Sequence, residues 1–153
     1  MAEYKNFNVE SKVRYIVEKQ WRPNADYGFY NWQQANVHFD DAKRPWILYV
    51  LPPSGNLYHQ HFQTTDRPRT LVGFYCNMGK LDFNPRQNDK LMCAMKMLAA
   101  TFIREVNKSG LFEPIPDKTE IPYRADYTFF DQGMTGIVIE IELKEIEGVK
   151  FCE

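Results

Sequence analysis

Apolar residues recur along this chain in two rhythms, one every three to four positions and one every second position. From Asn8 onward, Val9, Val13, Ile16 and Val17 form a single stripe, with Lys12, Arg14, Glu18 and Lys19 on the remaining positions. That spacing predicts an amphipathic helix from an Asn8 N-cap to about Gln20, ended by Pro23 and Asn24. A longer helix is predicted from Asn88 or Asp89 to Lys108. Leu91, Met95, Leu98, Phe102 and Val106 make its stripe, flanked by Met92, Ala99 and Ile103, and Gly110 supplies the C-terminal cap. Leu111 and Phe112 are expected to fold back over its end.

The second rhythm marks strands. Ile137, Ile139, Ile141 and Leu143 alternate with Val138, Glu140, Glu142 and Lys144, so one face should pack on the long helix. Trp46 to Leu51 is a continuous apolar run, as expected of a strand buried on both faces. Leu71 to Cys76 is another strand, with Gly73 at a bulge or a close approach. Tyr123 to Phe130 precedes a turn at Asp131 to Met134. Tyr30 to Phe39 also reads as a strand, with Trp32, Gln34, Asn36 and His38 on one parity. Neither parity there is cleanly apolar, so that strand is expected to meet another subunit. After the break at Pro52 to Asn56, residues Tyr58 to Arg69 are polar and aperiodic. They read as an extended loop or arm-like hairpin carrying Tyr58, His59, His61 and Phe62. Glu113 to Pro122 is a proline-containing connector, and residues 147–153 a short tail.

Helices set to one side of hairpin-joined strands make an α+β fold. The expected architecture is a mixed or antiparallel sheet of about five strands. A long helix packs on one face, with a shorter N-terminal helix beside it. The 153 residues fit one domain, with the arm at 58–70.

Composition narrows the function. The chain is 44% hydrophobic and 25% charged, an ordinary globular balance, and its net charge of −1 is too small for binding DNA or RNA by bulk charge. Aromatic residues reach 15%, which suits an interaction protein. The three cysteines, Cys76, Cys93 and Cys152, are odd in number and irregularly spaced, so no disulfide framework is expected. Cys76 and Cys93 read as small buried hydrophobes in a reducing compartment. Neither a signal peptide nor a membrane-spanning run is visible.

Catalytic signatures are missing from this sequence. His59 and His61 could present two imidazoles on one side of a strand, with Asp66 or His38 nearest to complete a metal site, but nothing fixes that set. Polar loop histidines are the favoured reading, and no metal or cofactor is expected. Neither Cys76 nor Cys93 has a base partner. Arg67, Arg69, Lys80 and Arg86 could form a basic strip, diluted by Asp66, Asp82 and Asp89. Met92, Met95, Met97 and Met134 read as core filler.

Several stretches together carry a resemblance. They are Tyr30-Asn31-Trp32-Gln33-Gln34-Ala35-Asn36, Pro45-Trp46-Ile47-Leu48-Tyr49-Val50-Leu51-Pro52-Pro53-Ser54-Gly55 and Asn107-Lys108-Ser109-Gly110-Leu111-Phe112-Glu113-Pro114-Ile115. The ending from Met134 to Val149 adds to them. The pattern resembles small structural proteins of tailed phages and prophages of Bacteroides-type bacteria. Its layout is similar to that of tail-terminator (tail-completion) and neck proteins. The resemblance covers about Tyr27 to Cys152 and rests on framework and turn residues. It implies a non-enzymatic virion protein, made in the host cytoplasm, that forms a homo-oligomeric ring at the head–tail joint. Portal, neck or tail proteins would be its neighbours, with packaged DNA close by and no membrane. On this reading the subunit contacts fall on Trp32, Gln34, Asn36 and His38 and on Tyr58, His59, His61 and Phe62. The alternative is a small bacterial binding module or enzyme with a pocket between the sheet and the long helix.

Overall fold

The computed structural model describes residues 8–32, 34–35, 44–50, 54–77, 85–129 and 134–146. Asn8 caps the first helix as its residue type favours, its Oδ1 accepting from the Ser11 backbone N–H at 2.9 Å. Helix α1 spans Val9–Tyr15 and continues as a π-helical segment, Ile16–Trp21. Arg22 closes it in the left-handed region (φ 53°), its N–H reaching the Val17 carbonyl.

Strand β1 is Asp26–Tyr30 and β2 is Trp46–Val50, and the two pair in parallel. Where the strand expected over Tyr30 to Phe39 should begin, β1 instead ends, and Trp32, Gln34 and Ala35 sit in a helical turn. Parallel pairing requires a crossover rather than a hairpin, and this turn belongs to that crossover. Asn36 and His38 lie outside the described residues.

Strand β3 (Ser54–Gln60) and strand β4 (Gln63–Asn77) follow, then helix α2 (Pro85–Ser109), β5 (Tyr123–Phe129) and β6 (Met134–Glu142). Helix α2 begins at Pro85, before the expected Asn88 or Asp89. Proline suits a first helical position because its missing N–H would have no intrahelical partner there. At the other end Gly110 takes a positive φ of 68°, and the Ser109 hydroxyl accepts from the Leu111 N–H at 3.1 Å. Leu111 and Phe112 then turn back into the core, each 2% exposed.

The six strands form one mixed sheet in the order β1-β2-β4-β6-β5, with β3 also on β4. Every pairing except β1–β2 is antiparallel. Both faces of the sheet centre are covered. Ile47, Val72, Phe74, Ile137, Ile139 and Ile141 face the helices, where Phe102 lies 5.7 Å from the Phe74 ring and 6.4 Å from Trp21. Leu48, Val50, Tyr75, Met134 and Val138 form a smaller cluster on the opposite face, covered by Ala35 and Trp32. Gly73 sits in unbroken register beneath the Tyr75 ring, so close packing explains it rather than a bulge. At Gly136 a β-carbon would collide with the Phe74 carbonyl, so β4 and β6 approach closely there.

Candidate functional site

One part of the sheet leaves the core. Strands β2 and β3 both lie along the same edge of β4: Tyr49 opposes Val72, and Ser54 opposes Arg69. Continuing the β2 register would place residue 52 opposite Arg69, so the two strands are offset by two residues. Beyond that offset β3 pairs with β4 alone on one side, rung by rung from Ser54↔Arg69 to Gln60↔Gln63. Every residue of β3 is exposed. This is the arm expected over residues 58–70, a hairpin rather than a loop.

His61 and Phe62 make its two-residue turn. Both take positive φ, 52° and 63°. Such turns match the twist of antiparallel strands but favour Asn-Gly, because a β-carbon in the left-handed region costs about 1–2 kcal/mol. A phenylalanine is a poor choice for that backbone. Phe62 is also 100% exposed, touching nothing that would compensate the strain. Leu57 (67%) and Tyr58 (38%) add apolar surface to the arm. From Ser54 to Thr65 there is no Asp, Glu, Lys or Arg.

The base of the arm is anchored by a buried ion pair. Lys12 Nζ donates to Glu145 Oε1 at 2.7 Å, and both side chains are fully buried. The other carboxylate oxygen of Glu145 accepts from the Asp66 N–H at 3.5 Å, and the Glu145 N–H donates to the Asp66 carbonyl at 3.3 Å. One carboxylate therefore ties helix α1, the chain after β6 and the arm base together. Burial raises the Glu145 pKa, against the lowering effect of Lys12, and burial likewise raises that of Asp66. Arg67 lies 3.7 Å over the Tyr58 ring and 3.9 Å from Glu113, bracing the arm from its side. Sequence reasoning put Lys12 off the apolar stripe of the first helix and did not single out Glu145. The partners are 133 residues apart, and no local signal marks a Lys at helical spacing as buried.

A groove of about 570 Å³ opens beside the base, between the connector and the end of β6. Ile115, Ile121, Ile141, Pro114, Pro116 and Pro122 give it apolar walls. Four carboxylates, Glu113, Glu120, Glu140 and Glu142, outnumber two cations, Arg69 and Lys144. It forms because Tyr123 is the last β5 residue paired to β6, opposite Ile139. One more backbone bond follows, the Glu140 N–H donating to the Pro122 carbonyl at 3.0 Å. The connector then leaves the strand, held by Asn107, which accepts from the Ile115 N–H at 2.7 Å. At its centre the sheet packs directly on the long helix, where Phe74 and Phe102 are both fully buried.

The remaining expected residues are dispersed. Trp32 packs on its own chain, 6.4 Å from Tyr75 and edge to face, with Arg124 5.7 Å over its ring. Gln34 is exposed and bonds back to Asn31, its backbone N–H donating to Asn31 Oδ1 at 2.8 Å. His59 and His61 do not share a strand side, because the left-handed backbone at His61 turns it out of the pleat. His59 Nδ1 bonds Thr64 Oγ1 at 2.9 Å, and His61 Nε2 lies 3.1 Å from Gln60 Nε2. Among the described residues, no three His, Cys, Asp or Glu side chains converge as metal ligands. Lys80 lies outside the described residues. Cys76 is buried, its thiol pushed up to about 11 by burial, but Cys93 is exposed, contrary to expectation, because it lies off the α2 core stripe. Met97 is 68% exposed for the same reason.

Among the described residues no helix is long and apolar enough to cross a membrane. Comparison of the chain with protein-family models, curated proteins and solved structures finds no match.

Proposed function

We infer that this chain is a structural subunit of a tailed-phage particle, forming a homo-oligomeric ring at the head–tail joint as a neck, tail-terminator or tail-completion protein. The arm carries the reading: Phe62 is fully exposed on a strained turn, at the end of a hairpin whose base is fixed by a buried ion pair. A two-stranded hairpin with one wholly exposed strand has little core of its own. It gains its contacts from another molecule. An arm reaching toward a different surface of the next copy makes a heterologous contact, the type that closes into rings. The sequence resemblance supplies the phage context, and the near-neutral charge suits a ring that lets DNA slide past. On this reading the chain acts by shape and contact, without catalysis, and ends up in the virion after synthesis in the host cytoplasm.

Two measurements test it together. Sedimentation across a wide concentration range should reveal a discrete closed oligomer, and mass spectrometry of purified particles should find the chain at a fixed copy number. A chain that stays monomeric at every concentration and is absent from particles would contradict the proposal.

A further inference from the structure

We propose that the arm tip of one subunit seats Phe62 in the connector groove of the next copy of this chain. The inference rests on the ring reading and specifies its contact. Within its own chain the arm tip does not fill the groove: Gln60 and Gln63 lie across a small cleft from Glu113 at one end of it. Phe62 is fully exposed within its own chain, so it has no intrachain seat.

Chemistry favours a second copy over other occupants. The groove floor is aliphatic, from Ile115, Ile121 and Ile141, and its volume of about 570 Å³ accommodates an aromatic ring with flanking residues. Its rim carries four carboxylates against two cations, which opposes nucleic acid or an acidic peptide. The arm tip meets that rim without repulsion because Ser54 to Thr65 contains no Asp, Glu, Lys or Arg side chain, and polar His59 and His61 flank the aromatic ring. A rigid aromatic anchor in a pocket beside a polar rim is the usual composition of a contact hot spot. The positive φ of His61 and Phe62 is then explained: the turn holds the ring outward, at the cost of a poorer hairpin.

Photo-crosslinking decides it. Position 62 would carry benzoylphenylalanine, which keeps an aromatic ring, in an equal mixture of isotope-labelled and unlabelled full-length chains at assembling concentration. Irradiation should give isotopically mixed crosslinks from residue 62 to residues 113–122 or 140–144. Crosslinks between copies that land elsewhere would overturn the groove assignment and leave the ring reading standing. Oligomers that form without any crosslink from residue 62 would overturn it in the same way. A chain that remains monomeric, with no mixed crosslinks, would overturn both.

Discussion

Strand β4 is continuous in its hydrogen bonding, yet its two ends live in different surroundings. From Val72 to Cys76 it is buried, between β2 on one edge and β6 on the other, with helices over one face. From Gln63 to Arg69 it pairs with β3, and its side chains are largely polar. Backbone pairing is the same in both halves, so ladder hydrogen bonds alone do not make a core. Side chains and covering layers do. The inner half therefore carries stability, and the outer half is free to be shaped for contact with another molecule.

The difference can be broken first at the core end. Phe102→Ala removes a fully buried ring packed on Phe74 and should cost about 3–5 kcal/mol in urea unfolding. Ile139→Ala should cost about 2–5 kcal/mol. Glu140→Ala, at an exposed position near the end of the same strand, should stay within about 0.5 kcal/mol. Equal losses at positions 139 and 140 would show that burial does not separate the two positions as described.

The junction between the halves is the Lys12–Glu145 pair. Removing one partner, as in Lys12→Met, should cost about 3–5 kcal/mol by stranding a buried carboxylate. The double variant Lys12→Met/Glu145→Leu should recover most of that loss, because the pair's desolvation cost disappears with it. If the double variant proved as unstable as the single one, the anchor would depend on packing around Lys12 and not on charge.

Alkaline pH should also act at the core end first. Burial raises Tyr49 from 10.0 to about 12 and raises Tyr27 well above its ordinary value. A phenol with a raised folded-state pKa contributes stability that is complete below pH 10 and is lost as the pH climbs toward 12. Phenolate absorbance should therefore include a late phase above the ordinary phenol range, from Tyr27 and Tyr49, with unfolding accompanying it. A single phase near the ordinary value would contradict the burial of the last two.

Much of the inner half was legible in the sequence. The alternation at Ile137 to Leu143, the apolar run at Trp46 to Val50 and the stripe on α2 each identify a buried face, because burial imposes a period. The arm was legible only as a stretch without period. Its pairing partner and its turn are invisible to such counting, since His61-Phe62 is not a residue pair that predicts a left-handed turn. Trp32 was misread for a related reason. A short helical turn in a crossover has too few residues to set a rhythm, and its aromatic ring covers the sheet it was expected to extend. The Lys12–Glu145 pair and the groove under the connector depend on residues far apart in the chain.

The smallest expected change in stability carries the most direct test of the arm's role. Substituting the turn as His61→Asn/Phe62→Gly gives the hairpin the residues its backbone favours and removes only an exposed ring. The account predicts a folded chain, unchanged or up to about 1 kcal/mol more stable, whose self-association measured by sedimentation is lost. A variant that assembles like the unmodified chain would contradict the claim that the arm tip makes the contact.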